Sequence, residues 1–333
     1  MFNLSNDNST VLQTVFDFNG ESRQLGKELA RGGEGCVYPL SINCKILTKI
    51  YHSDYLGDKE RMDKINAMIK LYKSTPSLSK LPVAWPQLAV FDEQRIWQGY
   101  AMKAADGIKL SVFKVPKLVR KYFPEINRTD VIEILQSLLK TAEQLHSHGI
   151  YMGDINLDNF LVEPQTKLVS FIDCDSYQVS IQGQHFPCPV GTDSMIPPEH
   201  QGQNLSSVVR NVYSDTFSLT IICFMLLMSG RHPYEHIGGE SISHNIRIGH
   251  FPWGQSIRPG SNGAVPVGPW YNWWSHLSGT LKGAFIQTFT AGSSNVSERV
   301  PLSELRKLLS QYKYSIEKGY LSNEMWPNQA KNK

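Results

Sequence analysis

Apolar residues recur three and four positions apart at Val131, Ile132, Ile134, Leu135, Leu138, Leu139, Ala142 and Leu145, the period of one face of an α-helix. The spacing predicts an amphipathic helix over 131–146 that ends at His148-Gly149. Two short runs rich in β-branched and aromatic residues follow, 160–162 and 168–172, separated by Glu163-Pro-Gln-Thr166, and read as a hairpin. Upstream, 44–51 is a further strand, carrying Lys49 in a mostly apolar setting, and 58–69 reads as a helix. The longest apolar run, 217–228, is well short of the ~20 residues a membrane span needs. A helix buried in a core is expected there. By contrast, 253–274 is rich in Trp, Pro and Gly and predicts an irregular insertion, a partner surface if its aromatics are exposed. The polar, Asn- and Ser-rich residues 1–20 read as a disordered arm or one added strand. Lys109, Lys114, Lys117, Arg120 and Lys121 read as a solvated helix face.

Composition changes this picture little. The 333 residues, 41% hydrophobic and 19% charged, suit a soluble globular chain with one large core or two lobes. A net charge of +3 is too small to imply a nucleic-acid partner. Five cysteines lie scattered without paired metal-ligand spacing, and no basic-then-apolar segment opens the chain. A cytoplasmic protein without membrane contact is expected.

The chemistry concentrates in Tyr151-Met-Gly-Asp-Ile-Asn-Leu-Asp-Asn159 and in Asp173, just after the hairpin. Transfer of a phosphoryl group needs cations to neutralise its charge and a group to orient the attacking hydroxyl and take its proton. Asp154 suits the second task. The amide oxygen of Asn159 and the carboxylate of Asp173 are hard ligands of the kind Mg²⁺ prefers. Leu25 to Tyr38 contains a glycine-rich turn between two strands, where backbone N–H groups can approach phosphate oxygens. Lys49 either snorkels to solvent or is held over the phosphates by a carboxylate, and Glu60 is the only glutamate on the following helix.

In this order the residues resemble the eukaryotic-like protein kinase family over nearly the whole chain. Ala30, Gly32, Gly33, Gly35 and Val37 are similar to its Gly-rich loop, with Ala in place of the first Gly; Lys49 resembles its nucleotide-binding lysine, with Glu60 the candidate partner. The segment 145–159 resembles the catalytic loop, and Asp173 the metal-binding Asp. Gly191-Thr192 with Pro197-Pro-Glu199 resembles the end of an activation segment, and Asp215 the start of a buried helix. Glu199 and Arg299 resemble the ion pair of the large lobe. The resemblance implies an α+β, bilobal protein-kinase-like fold, with a small β-rich N-lobe over 21–105, a larger mainly helical C-lobe over 106–315, an N-terminal extension over 1–20 and a tail over 316–333. It further implies ATP with its adenine at a hinge formed by Met102, Lys103 and Ala104, Mg²⁺ or Mn²⁺ on Asn159 and Asp173, and a protein substrate. Gly32-Gly-Glu-Gly35 and Ile172-Asp-Cys-Asp-Ser-Tyr-Gln178 narrow the resemblance to a bacterial group, often fused to helix-hairpin-helix DNA-binding segments or encoded beside phosphatase and tellurite-resistance proteins. A cognate phosphatase or stress-response partner is thereby implied.

Departures qualify the expected activity. Met152-Gly153-Asp154 replaces His-Arg-Asp, removing the arginine that reads a phosphate on the activation segment. Asn156 stands where Ser/Thr kinases carry a lysine, and such charge-stabilising groups are commonly worth several kcal/mol. Asp173-Cys174-Asp175 replaces Asp-Phe-Gly, with Asp175 either a further metal carboxylate or a solvated turn residue. Three classes follow: a Ser/Thr protein kinase that also labels itself, a small-molecule kinase of the aminoglycoside or choline kinase type, and a nucleotide-binding pseudokinase scaffold.

Overall fold

The computed structural model describes residues 13–181, 183–254, 265–266 and 268–327; most of the arm, the middle of the Trp-rich stretch and the end of the tail lie outside them. The chain divides into two units, Met1–Lys80 with Ala84–Ala105, and Leu81–Val83 with Asp106–Lys333.

In the first unit the strands are β1 (Thr14–Phe16), β2 (Ser22–Gln24), β3 (Ala30–Arg31), β4 (Gly35–Leu40), β5 (Asn43–Tyr51), β6 (Pro86–Phe91) and β7 (Trp97–Lys103). They form an antiparallel sheet in the order β2-β1-β6-β7-β5-β4-β3. Alternation along a strand sends successive side chains to opposite faces. Ile46 and Ile50 accordingly pack on a cluster of Val15, Val90 and Ala101, while Lys49 belongs to the other face. The added-strand reading of the first twenty residues holds for Thr14–Phe16, which pairs with both β2 and β6. Helix α1 (Lys59–Ser74) starts at Asp58, whose side chain accepts from the Arg61 N–H, and buries Ile65, Met68 and Ile69. The fully buried Trp85 indole donates to the Met68 carbonyl at 2.9 Å.

The second unit is mainly helical. A small sheet, β10-β9-β8, joins β8 (Ile108–Lys109), β9 (Phe160–Val162) and β10 (Val169–Phe171); the last two are the expected hairpin. A second hairpin pairs β11 (Val179–Ile181) with β12 (Gln184–Phe186). Helix α2 (Pro116–Tyr122) carries exposed Lys117, Arg120 and Lys121. Helix α3 (Arg128–Ser147) matches the periodicity, and a capping box of Asn127 and Asp130 starts it. Helix α4 (Val212–Leu227) is buried at every position from Ser214 onward, as an apolar run of that length requires. Then come α5 (Ile242–Arg247), α6 (Trp270–Ser275), α7 (Gly279–Phe289), α8 (Ala291–Ser294) and α9 (Leu302–Glu317).

The expectation of irregular structure across 253–274 is corrected in part. Trp270–Ser275 is helical, and Trp253, Trp273 and Trp274 are buried. Trp253 and Trp274 pack around Phe224, so these rings build core. After α9 the chain packs back on the unit: Arg128 donates to the Glu324 carbonyl, Trp326 to the Ser229 hydroxyl, and Met325 is buried. Fold and topology are those of a bilobal protein-kinase-like α+β protein.

Candidate active site

Residues singled out from the sequence fall into both units. In the first, Gly32 donates its N–H to the Gly35 carbonyl at 2.8 Å and closes the glycine-rich turn. Gly35 is demanded by packing, since a Cβ there would lie 2.3 Å from the Ile50 carbonyl oxygen. At Gly33 a Cβ would meet nothing within 4 Å, which leaves open space over the loop. Ala30 sits on β3 opposite Val37, and Val37 lies opposite Lys49 in the β4–β5 register. Lys49 in turn faces Tyr100 on β7. Further along β7, Met102 is buried and Lys103 exposed, and Ala104 donates its N–H to the Lys45 carbonyl.

Lys49 is largely buried, and its ammonium lies 3.8 Å from the Glu34 carboxylate. Glu34 also receives Arg61 of α1, whose guanidinium nitrogens reach its two oxygens at 3.1 and 3.0 Å. Burial alone would lower the Arg61 pKa, but the hydrogen bond and charge of Glu34 outweigh it and raise it. The expected partner, Glu60, is exposed on the first turn of α1. Helical phase explains the difference: Arg61 shares the inward stripe with Ile65 and Met68, and Glu60 does not.

In the second unit, the catalytic-loop segment hangs from Asp215 on α4. This buried carboxylate accepts from the Met152 N–H at 2.8 Å, the Gly153 N–H at 3.2 Å and the His146 ring at 3.0 Å. Gly153 has φ +67°, and a Cβ there would lie 2.7 Å from the Cys188 sulfur. No arginine fits that position. A different arginine, the buried Arg210, passes beside Gly153, donates to the Val190 carbonyl at 3.1 Å and meets the His200 ring at 2.8 Å.

Asp154 is held by three side chains. The Thr192 hydroxyl donates to one carboxylate oxygen at 3.0 Å, and the Asn156 and Asn159 amides approach the other at 3.3 Å each. Asn156 also caps the turn of Leu157–Asn159, accepting from the Asp158 N–H. Because the Asn159 amide nitrogen is directed to Asp154, including its backbone carbonyl at 3.0 Å, its amide oxygen is the atom available as a hard ligand. The Ile172 N–H donates to the Asn159 carbonyl at 3.0 Å, which brings Asp173 next to Asn159. Asp173 is exposed and adopts left-handed backbone angles, φ 58° and ψ 41°. This donor set of an amide oxygen and a carboxylate fits a magnesium-like ion. Asp175 is buried, only 5% exposed, which removes the solvated-turn reading. Glu199 and Arg299 form the expected ion pair, with two contacts at 2.8 and 2.6 Å.

Sequence reasoning missed Glu34, Arg61 and Arg210, and read Thr192 and Asp215 only as landmarks. Only Glu34 carried a visible signal, a lone charge inside a glycine-rich turn.

A chain with this fold and this arrangement of Asp154, Asn159 and Asp173 has the architecture of the protein kinases. It is 30% identical to protein kinase YegI of Escherichia coli O157:H7 over 287 residues, 83% of this chain and 43% of that protein. To protein kinase YegI of Escherichia coli strain K12 it is 31% identical over 230 residues, 67% of this chain and 34% of the relative. The chain thus spans less than half the length of these curated relatives. No protein-family model matches it. The chain belongs to a protein kinase family. Among the described residues no helix is long and apolar enough to cross a membrane.

Proposed function

We propose that this chain is a Ser/Thr protein kinase domain that transfers the γ-phosphoryl group of ATP to protein hydroxyls, its own included. The observation that carries the reading is the three-point hold on Asp154 by Thr192, Asn156 and Asn159, in a loop suspended from the buried Asp215. A fixed carboxylate of this kind orients an incoming hydroxyl and accepts its proton. Lys49 binds the α- and β-phosphates, and the open turn at Gly33 lets the backbone approach phosphate oxygens. Met102, Lys103 and Ala104 line the adenine. Asn159 and Asp173 hold a Mg²⁺ ion, with Asp175 as a nearby carboxylate; when bound, the ion neutralises charge on the transferring group.

A protein substrate is favoured by a cavity of about 520 Å³ beside the catalytic loop, lined by Asn156, Asn159, Thr192, Met195, Met225 and His232 among others. It offers apolar and polar walls to a side chain next to the accepting hydroxyl. Asn156 supplies a neutral amide where a lysine is common, so a slow enzyme is expected, retaining positioning but less charge stabilisation.

Purified protein incubated with labelled ATP and Mg²⁺ or Mn²⁺ is expected to label itself or a generic protein substrate. Asp173→Ala should abolish the label with the thermal midpoint little changed. Equal labelling by both proteins would refute the mechanism, and label on metabolites alone would indicate a small-molecule kinase.

A further inference from the structure

We propose that Glu34, inside the glycine-rich turn, is a carboxylate that positions Lys49, and that Arg61 of α1 is the residue that holds Glu34 in place. The inference rests on the kinase reading and concerns how its nucleotide-binding lysine is set. It inverts the expected polarity, because the helix supplies a cation and the loop supplies the anion.

Four observations within the first unit carry it. Glu34 meets both cations, Lys49 at 3.8 Å and Arg61 at 3.0 Å. Arg61 takes the two short contacts, so the carboxylate is fixed by the helix while its longer ion pair steers the ammonium. The guanidinium is itself fixed: it lies over the Tyr51 and Tyr55 rings at 5.0 and 4.6 Å, and its Nε is 3.6 Å from Asp58, the helix cap. Finally, the turn backbone is tied to the residue that follows β5. The His52 N–H donates to the Glu34 carbonyl at 2.9 Å, and its ring meets the Gly32 carbonyl at 3.0 Å.

Of the two cations on Glu34, the bidentate arginine is the stronger competitor. The Arg61 contacts to the Glu34 side chain add to the His52 contacts that restrain residues 32–34.

Two measurements test the inference. In the first, Glu34→Gln, Arg61→Gln, Arg61→Lys and Glu60→Gln are compared with wild type for ADP affinity, the KM for ATP and kcat, after thermal melts establish that each is folded. Glu34→Gln is expected to weaken ADP binding and raise the KM for ATP by about tenfold, the scale of a lost charge-assisted contact, and Arg61→Lys to recover part of the loss seen in Arg61→Gln. Wild-type affinity and kinetics in Glu34→Gln, or a loss at Glu60→Gln in its place, would overturn the assignment. The second is amide hydrogen exchange over residues 31–35 without nucleotide, which needs no activity. Faster exchange in Arg61→Gln is expected, and unchanged exchange would remove the clamp. Absence of nucleotide binding by wild type would defeat the kinase reading itself, while the exchange result would still decide on the clamp.

Discussion

Asp154 owes its orientation to neighbours of unequal origin. Asn156 and Asn159 come from its own loop, whereas Thr192 arrives from far along the sequence and donates to the oxygen the amides leave alone. Removing that hydroxyl while keeping the side-chain volume should free the carboxylate to rotate without disturbing nucleotide contacts. Thr192→Val is therefore expected to lower kcat by about tenfold or more, the worth of one hydrogen bond to a charged group, with the KM for ATP unchanged. Steady-state kinetics check this, and a rise in KM at constant kcat would mean that Thr192 acts in binding. Gly153 gives a second residue-scale lesson. Its absent side chain looks in the sequence like a lost regulatory arginine. Its backbone, at φ +67° against Cys188, could not carry one, and Arg210 supplies a guanidinium beside it from another segment.

At the scale of elements, legibility followed from length and period. Helix α3 was readable from its repeating period, α4 from an unbroken apolar run, and the β9–β10 hairpin from β-branched and aromatic residues on either side of a Pro-bearing turn. Helix α6 has six residues, under two turns, and its tryptophans are packed by tertiary contacts that no local pattern announces. Glu60 was chosen by residue type where the phase of α1 decides, which is why Arg61 was overlooked. The ion pair of Glu199 with Arg299 was legible as a motif, but not its depth. Arg299 has no side-chain exposure and also donates to the Gly292 carbonyl at 2.8 Å and the Tyr213 carbonyl at 3.0 Å, tying α8 and α4 together. Glu199→Ala leaves that guanidinium buried without its carboxylate; because Glu199 is itself 34% exposed and the two carbonyls remain, the cost should be about 2 kcal/mol, below that of a fully buried pair. Replacing both partners, Glu199→Ala with Arg299→Met, should recover part of the loss, because no buried charge then remains. Urea denaturation of the three proteins decides, and a single variant as stable as wild type would contradict the buried-charge account.

For the whole molecule, two buried imidazoles set the response to acid. Burial lowers the pKa of His200, and the adjacent Arg210 lowers it further, to about 4. Burial lowers His232 to about 3, while its ring is fixed between the Ser194 carbonyl at 2.8 Å and the Tyr234 N–H at 3.2 Å. One nitrogen donates and the other accepts, which only the neutral ring can do. Both groups ordinarily titrate near 6.5, so below that pH the unfolded chain binds protons that the folded chain refuses. Their contribution is complete above about pH 6.5 and declines as the pH falls toward 4. At pH 5 each ring should cost about 2 kcal/mol relative to neutral pH, since 1.5 pH units below the unfolded value is worth that much. Glu199, held low because Arg299 outweighs the effect of its burial, acts in the same direction at lower pH. Urea midpoints at pH 7.5 and pH 5 are therefore expected to differ by several kcal/mol in unfolding free energy, and His200→Gln with His232→Gln should flatten that difference even if it lowers stability at neutral pH. Equal midpoints for wild type at the two pH values would show that these rings accept protons within the fold.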